Sequence, residues 1–223
     1  MTTAAATKKR TILIGDIHGC FDELMALLKK INFNKEQDRL ILLGDIINKG
    51  PKSVEVIFFA KENNIECIKG NHEQGFLDAL NGLRSLTGGF KKLATELGPR
   101  LNLVKDWLES LPFYIEEKDF IAVHAGLAPR VALKNQSPDI LTRIRTWDGA
   151  GVSLNSEEDP AWFELYKNKK LVVFGHWASM GLVNRENCIG LDTGCVWGGE
   201  LSALVLPNKE VISVAAYETY LEV

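Results

Sequence analysis

Residues Ile41–Ser53 read ILLGDIINKGPKS: an apolar run, a glycine at Gly44 and one carboxylate, Asp45. An amide, a lysine and a glycine follow (Asn48, Lys49, Gly50), then Pro51, a residue suited to the first turn of a helix. The same grammar recurs along the chain. Thr11–Ile14 runs into GDIHG, Ile65–Ile68 into GNHE, Phe120–Val123 into HAG and Leu171–Phe174 into GHW. Each short apolar run reads as a buried strand that ends at a turn carrying a residue able to bind a metal. Asp45 is therefore expected to be the central ligand of a two-metal site to which the other runs bring the remaining ligands.

Helical signals lie between the early strands. Leu24, Leu27, Leu28 and Ile31 mark one face of a helix over residues 21–31, and Val54, Ile57 and Phe58 mark the inner face of one opened by Pro51. Residues 74–112 read as mostly helical, broken at Gly82, Gly88–Gly89 and Gly98–Pro99, and 129–159 as loops with room for one short helix. From Cys188 onward the pattern turns to strands. Strand–helix alternation followed by a β-rich third implies an α/β fold, a four-layer α/β/β/α sandwich with two mixed β-sheets. A single mixed sheet remains the alternative.

The chain has 223 residues, 46% hydrophobic and 25% charged, with a net charge of -3. One domain over residues 11–223 after a disordered tail at 1–10 is the expectation. No strong basic excess points to general nucleic-acid binding. The start, MTTAAATKKR, lacks the apolar centre of a signal peptide, and no run nears the roughly 18 apolar residues of a membrane span. The four cysteines, Cys20, Cys67, Cys188 and Cys195, form no C-x-x-C pair, which points to a reduced, cytoplasmic protein. Cys20 and Cys195 flank the motifs and read as small buried residues.

The four histidines, His18, His72, His124 and His176, all sit just past a strand expected to be buried. Loops beyond strand carboxyl ends form the ligand crevice of open α/β sheets. Asp16 and His18, two apart, can face one ion; Asp45 and Asn71 add oxygens, and His124 and His176 add imidazoles. Nitrogen and oxygen donors without thiolate suit iron, manganese or zinc rather than calcium. Six ligands exceed what one ion that keeps a water can use, and suit two ions about 3.5–4 Å apart sharing Asp45.

GDIHG, GDIINKG, GNHE, HAG and GHW occur in the order found in metallophosphoesterases of the phosphoprotein phosphatase superfamily. FGHWAS (174–179), LDTGCVWGG (191–199) and TRIR (142–145) resemble the ApaH-like symmetrical diadenosine tetraphosphatases. The resemblance runs from about Thr11 to about Leu206. It implies a phosphohydrolase with Asp16, His18 and Asp45 on one metal and Asp45, Asn71, His124 and His176 on the other. It also implies His72 as general acid and Arg143, with Arg145 second, on the phosphoryl oxygens, beside Lys49 and Asn71. Two divalent cations are expected, manganese first, with iron, zinc, cobalt or magnesium as alternatives. The expected partner is a small nucleotide substrate, diadenosine tetraphosphate before capped RNA, polyphosphate or a phosphoprotein.

The chain departs from the superfamily pattern GDxVDRG by carrying Asn48 and Lys49 for the second Asp and the Arg. Asn48 cannot supply the charge that favours an imidazolium at His72, which matters less when the leaving group is itself a phosphate, with a last pKa of about 6. Lys49 keeps the charge of an arginine without its fork. Arg84, Lys91, Lys92 and Arg100 are candidate contacts to the distal part of a substrate, and Trp147, Trp177 and Trp197 are candidate faces for a purine.

Overall fold

A computed structural model describes residues 10–222. In chain order its first half runs β1 (Thr11–Ile14), α1 (Phe21–Lys30), β2 (Arg39–Leu42), α2 (Ser53–Glu62), β3 (Glu66–Cys67), α3 (Asn71–Leu80), α4 (Gly88–Leu97) and α5 (Leu101–Ser110). The second half runs β4 (Tyr114–Glu116), β5 (Phe120–Val123), α6 (Pro138–Arg143), α7 (Trp162–Leu165), β6 (Leu171–Phe174), β7 (Val183–Asn184), β8 (Cys188–Gly190), β9 (Glu200–Leu206) and β10 (Glu210–Ala215).

Among the described residues ten strands form two five-stranded sheets, ordered β10-β9-β1-β2-β3 and β4-β5-β6-β8-β7. β1, β2 and β3 are parallel, with β9 and β10 added antiparallel; β5, β6 and β8 are parallel, with β4 and β7 antiparallel at the edges. Both sheets are mixed, as the sequence implied.

Side-chain alternation sorts the strands into three cores. Leu13, Ile41, Leu43, Ile68 and Leu204 meet Ala122, Val173 and Ile189 between the two sheets. Ile12, Ile14 and Leu42 face the other way, onto Leu24, Leu27, Val56, Ile57 and Phe76 of the first helical layer. Val123, Val172 and Phe174 turn outward to Ile140, Leu141, Trp162 and Phe163. Three interlayer cores make four layers, which excludes the single-sheet alternative.

Some boundaries differ from expectation. Pro51 precedes helix α2 rather than opening it, because Asn48 and Lys49 are left-handed and Ser53 Oγ accepts from the Asn48 N–H at 2.9 Å. Strands β4 and β7 and helix α7 were not foreseen; at two to four residues they are too short to show a period. The tail expected over 1–10 lies outside the described residues except for Arg10, whose Nε and Nη2 donate to Asp38 at 2.9 and 2.7 Å. Among the described residues no helix is long and apolar enough to cross a membrane.

Candidate active site

The carboxyl ends of β1, β2, β5 and β6 meet where the two sheets join. The junction is hydrogen-bonded across: His124 Nδ1 lies 2.8 Å from Leu43 O of the other sheet, and His176 N–H donates to Asp16 Oδ1 at 2.9 Å, while Gly175 N–H donates to His124 O at 2.7 Å within one sheet. Five site residues hold positive φ without being glycine: His18, Asp45, Asn48, Lys49 and His176. Each such residue costs on the order of 1–3 kcal/mol, so the fold spends stability to aim these side chains.

Asp45 is the centre. Its Oδ2 lies 3.5 Å from His124 Nε2, 3.7 Å from His18 Nε2 and 3.9 Å from His72 Nε2. Its Oδ1 accepts from the His72 backbone N–H at 2.8 Å. Asp16 Oδ2 stands 4.0 Å from His18 Nε2, and Asn71 Oδ1 3.0 Å from His124 Nε2. The rings of His124 and His176 are 5.1 Å apart. All six expected ligands are thus brought together, and His72 stands beside them.

The donor set fits two ions. Among the described residues, His18, Asp45 and His72 form one group and Asp45, His124 and His176 another, each with ligand atoms within 4.8 Å of one another and Asp45 in common. Three imidazole nitrogens around one oxygen at these distances are too far for hydrogen bonds and suitably spread for donors converging on shared cations. Carbonyls hold the ring orientations: Ile47 O faces His18 Nδ1 at 3.1 Å and Leu43 O faces His124 Nδ1, leaving each Nε2 to ligate. His176 Nε2 is instead 3.1 Å from Arg143 O, so its Nδ1 is the free donor.

Burial and charge set the protonation. Burial lowers His18 to about 3 and takes His176 well below the ordinary imidazole value, so both rings are neutral donors. Burial also lowers His72, against the pull of Asp45. Burial opposes charge on Asp45, but His124, His72 and His18 outweigh it and hold the carboxyl well below its ordinary range. Burial, Asp192 and Asp45 raise Asp16.

Glu73, fully buried, braces the loop: Oε2 accepts from the Asp45 and Gly70 amides at 2.8 Å each, and Oε1 from the Ile46 amide at 3.0 Å. Burial and Asp45 push its pKa up to about 8, while the three N–H groups favour the ionised form. Gly70 and Gly175 permit the close packing. A methyl at Gly175 would lie 2.0 Å from Asp16 Oδ1, the atom that accepts from the His176 N–H.

The two departures of the central loop both touch site histidines. Asn48 Nδ2 is 2.9 Å from His72 Nδ1, and its Oδ1 lies against Gly89 at the start of α4, where a methyl would sit 1.9 Å away. With the amide donating, the His72 proton is on Nε2, the nitrogen that faces Asp45. Lys49 Nζ is 2.8 Å from His18 Nε2 and stands 5.1 Å over the centroid of Trp197.

A cavity of about 440 Å³ opens over this centre, lined by Asp16, His18, Asp45, Asn71, His72 and His176 and by Lys49, Arg145 and Trp197. The two arginines expected at the phosphoryl oxygens are placed differently. Arg143, on the last turn of α6, is not among the lining residues and pairs with Asp139 one turn back at 3.4 Å, although its charge still reaches His72. The chain then becomes extended at Ile144, which swings Arg145 into the cavity. Among the described residues its Nε is buried without a partner, while Nη1 donates to Asn155 Oδ1 and Nη2 to His176 O, both at 3.5 Å.

Sequence reasoning missed Asp192, which lines the cavity just past β8 and is raised by burial to about 6. The strand-end grammar that found Asp45 applies to it, since IGL precedes it and a glycine follows at Gly194. Four proposed distal contacts stay outside this cavity. Arg84 lies over Phe90, Arg100 over Phe58 and Lys92 beside Glu96, while Lys91 is exposed. Trp147 and Trp177 pack at the edge of the outer core, and Cys20 and Cys195 are buried side by side beneath the loops.

Comparison with known proteins agrees with this geometry. Residues 9–180 match the family described as calcineurin-like phosphoesterase. The chain is 32% identical over 260 aligned positions to the symmetrical bis(5'-nucleosyl)-tetraphosphatase of Neisseria gonorrhoeae, covering 91% of this chain and 94% of that protein. The Vibrio campbellii protein of the same name is 29% identical, with 92% and 98% covered. A crystal structure provisionally named as a diadenosine tetraphosphatase superposes with a TM-score of 0.85 at 32% identity, covering 94% of this chain and 95% of that one. The chain belongs to the calcineurin-like phosphoesterase family, within its symmetrical bis(5'-nucleosyl)-tetraphosphatase branch.

Proposed function

We propose that this phosphohydrolase cleaves the central anhydride of dinucleoside tetraphosphates, turning diadenosine tetraphosphate into two ADP. The observation that carries the reading is the ring of imidazoles around Asp45 Oδ2, beside a general-acid position whose partner is the neutral Asn48. Asp16, His18 and Asp45 would hold one divalent ion, and Asp45, Asn71, His124 and His176 the other, with manganese as first candidate. Such a pair supplies an acidified water and neutralises phosphate charge.

The chain's own residues do the rest. Lys49 and Arg145 draw the bridging phosphates into the cavity, and the unpartnered Arg145 Nε has an acceptor to gain. Arg143 acts through its carbonyl, which fixes the His176 ring. His72 presents Nε2–H towards the leaving oxygen. A neutral imidazole donates a hydrogen bond more readily than a proton, which suffices for a nucleoside diphosphate leaving group and not for an alkoxide. The four free, buried cysteines support a reducing, cytoplasmic setting.

Product analysis of the manganese-loaded chain on diadenosine tetraphosphate tests the reading. Two ADP as the sole product is expected; AMP plus ATP, or turnover confined to a phosphopeptide, contradicts it.

A further inference from the structure

The cavity extends beyond the cluster of ligands into a lobe walled by Ala178, Ser179, Gly194, Trp197 and Gly199. None of these residues is needed to hold an ion. Four are small, so this slot has one large side chain on its wall, the Trp197 ring. Gly194 is left-handed at φ 74, and a methyl built on it would approach Trp197 Cδ1 to 3.8 Å, so bulk here narrows the slot.

Trp197 is also held unusually well for a half-buried ring. It ends the turn Cys195–Trp197, and the C-terminal segment straps that turn from behind. Val196 O accepts from both the Tyr220 and Leu221 amides at 3.1 Å, and Gly199 O from the Ala216 amide at 2.8 Å. The strap is in turn fixed on α1, where Glu23 Oε1 accepts from Tyr217 N–H at 2.9 Å and Tyr220 O–H at 2.7 Å. A stacking surface held rigid before binding loses less entropy on association. The other two candidate tryptophans are committed elsewhere: Trp177 packs on Phe163 and donates Nε1–H to Ser179 Oγ at 3.1 Å, and Trp147 covers Gly151.

Lys49 links this slot to the chemistry. Its ammonium stands over Trp197 while touching His18 Nε2, so one side chain spans ring and ligands. An exposed cation–π contact is worth about 0.5–1 kcal/mol, less than a charge-assisted bond to phosphate. An arriving polyphosphate therefore draws Lys49 off the ring and frees that face for the base attached to it.

We propose that the Trp197 lobe is the nucleoside subsite, in which a purine of the substrate stacks on Trp197 while Lys49 holds its adjoining phosphates. This rests on the hydrolase reading above and adds the group that recognises the nucleoside. Stacking on an aromatic side chain is worth roughly 1–3 kcal/mol per base, which is about 5- to 150-fold.

The test compares diadenosine tetraphosphate with inorganic tripolyphosphate, an anhydride without a nucleoside, on the full manganese-loaded chain. Trp197→Ala is expected to lower the ratio of kcat/KM for the dinucleotide over tripolyphosphate by at least about fivefold, chiefly through KM, and Trp197→Phe to restore it to within about twofold. Equal losses on both substrates, an unchanged ratio, or failure of Trp197→Phe to restore it overturns the subsite. Calorimetric titration separates this from the hydrolase reading, because it needs no turnover. The wild type should bind ADP at least about fivefold more tightly than pyrophosphate, and Trp197→Ala should lose that advantage; equal affinities in the wild type overturn the proposal even if the dinucleotide is cleaved.

Discussion

Asn48 Nδ2 and His72 Nδ1 are 2.9 Å apart, so a neutral amide holds the imidazole that faces the reacting phosphate. Asn48→Asp places a carboxylate at that distance and raises the His72 pKa from its burial-lowered value. The stabilisation from the new pair is fully present below the unfolded pKa of about 6.5 and is lost as pH rises through the raised folded value. Histidine ring NMR should show His72 titrating at higher pH in the variant. Turnover of a phosphomonoester relative to diadenosine tetraphosphate should rise several-fold at pH 6–7. An unchanged ratio ends the argument that Asn48 tunes the site for anhydrides.

Arg145 and Arg143 separate by position. Arg145→Ala should lower kcat/KM on diadenosine tetraphosphate by about 10- to 100-fold, the weight of a charge-assisted hydrogen bond of roughly 1.5–3 kcal/mol. Arg143→Ala keeps the carbonyl that orients His176 and removes an exposed pair with Asp139 and a charge felt at His72, so its effect should stay within about threefold. Steady-state kinetics on the two variants checks the order.

Gly175→Ala drives a methyl into Asp16 Oδ1. Manganese affinity measured by calorimetry should fall on the order of 10- to 100-fold, as when a group that orients a metal ligand is lost. Thermal unfolding in the presence of a chelator should change much less than in the presence of manganese.

Glu73→Gln sets an amide N–H₂ against at least one of three backbone donors. Urea denaturation should show a loss of about 1–3 kcal/mol, the penalty of unsatisfied buried donors. A wild-type midpoint would mean that the brace is dispensable.

The fold was legible because each parallel strand announces itself as a short apolar run, and the candidate ligands were legible because each sits one to four residues past such a run. Asp45, His124 and His176 come from three strands in two sheets, yet their shared position at strand ends placed them together. What the sequence concealed depends on local chain direction. Arg143 and Arg145 look equivalent in TRIR, and only the end of α6 between them decides which one faces the cavity. Asp192, a cavity-lining carboxyl, obeyed the same rule as the candidate ligands but lacked a histidine beside it. The contact of Gly89 with Asn48 joins segments whose approach no periodicity encodes.

The central claim is that Asp45 is shared by two ions. Its most direct test is metal stoichiometry, measured by calorimetry and elemental analysis on the chelator-stripped chain reloaded with manganese. The account predicts two ions per chain in the wild type, one in His176→Ala and none held tightly in Asp45→Ala. A wild type that saturates at one ion, or an Asp45→Ala variant that keeps one at wild-type affinity, would contradict it.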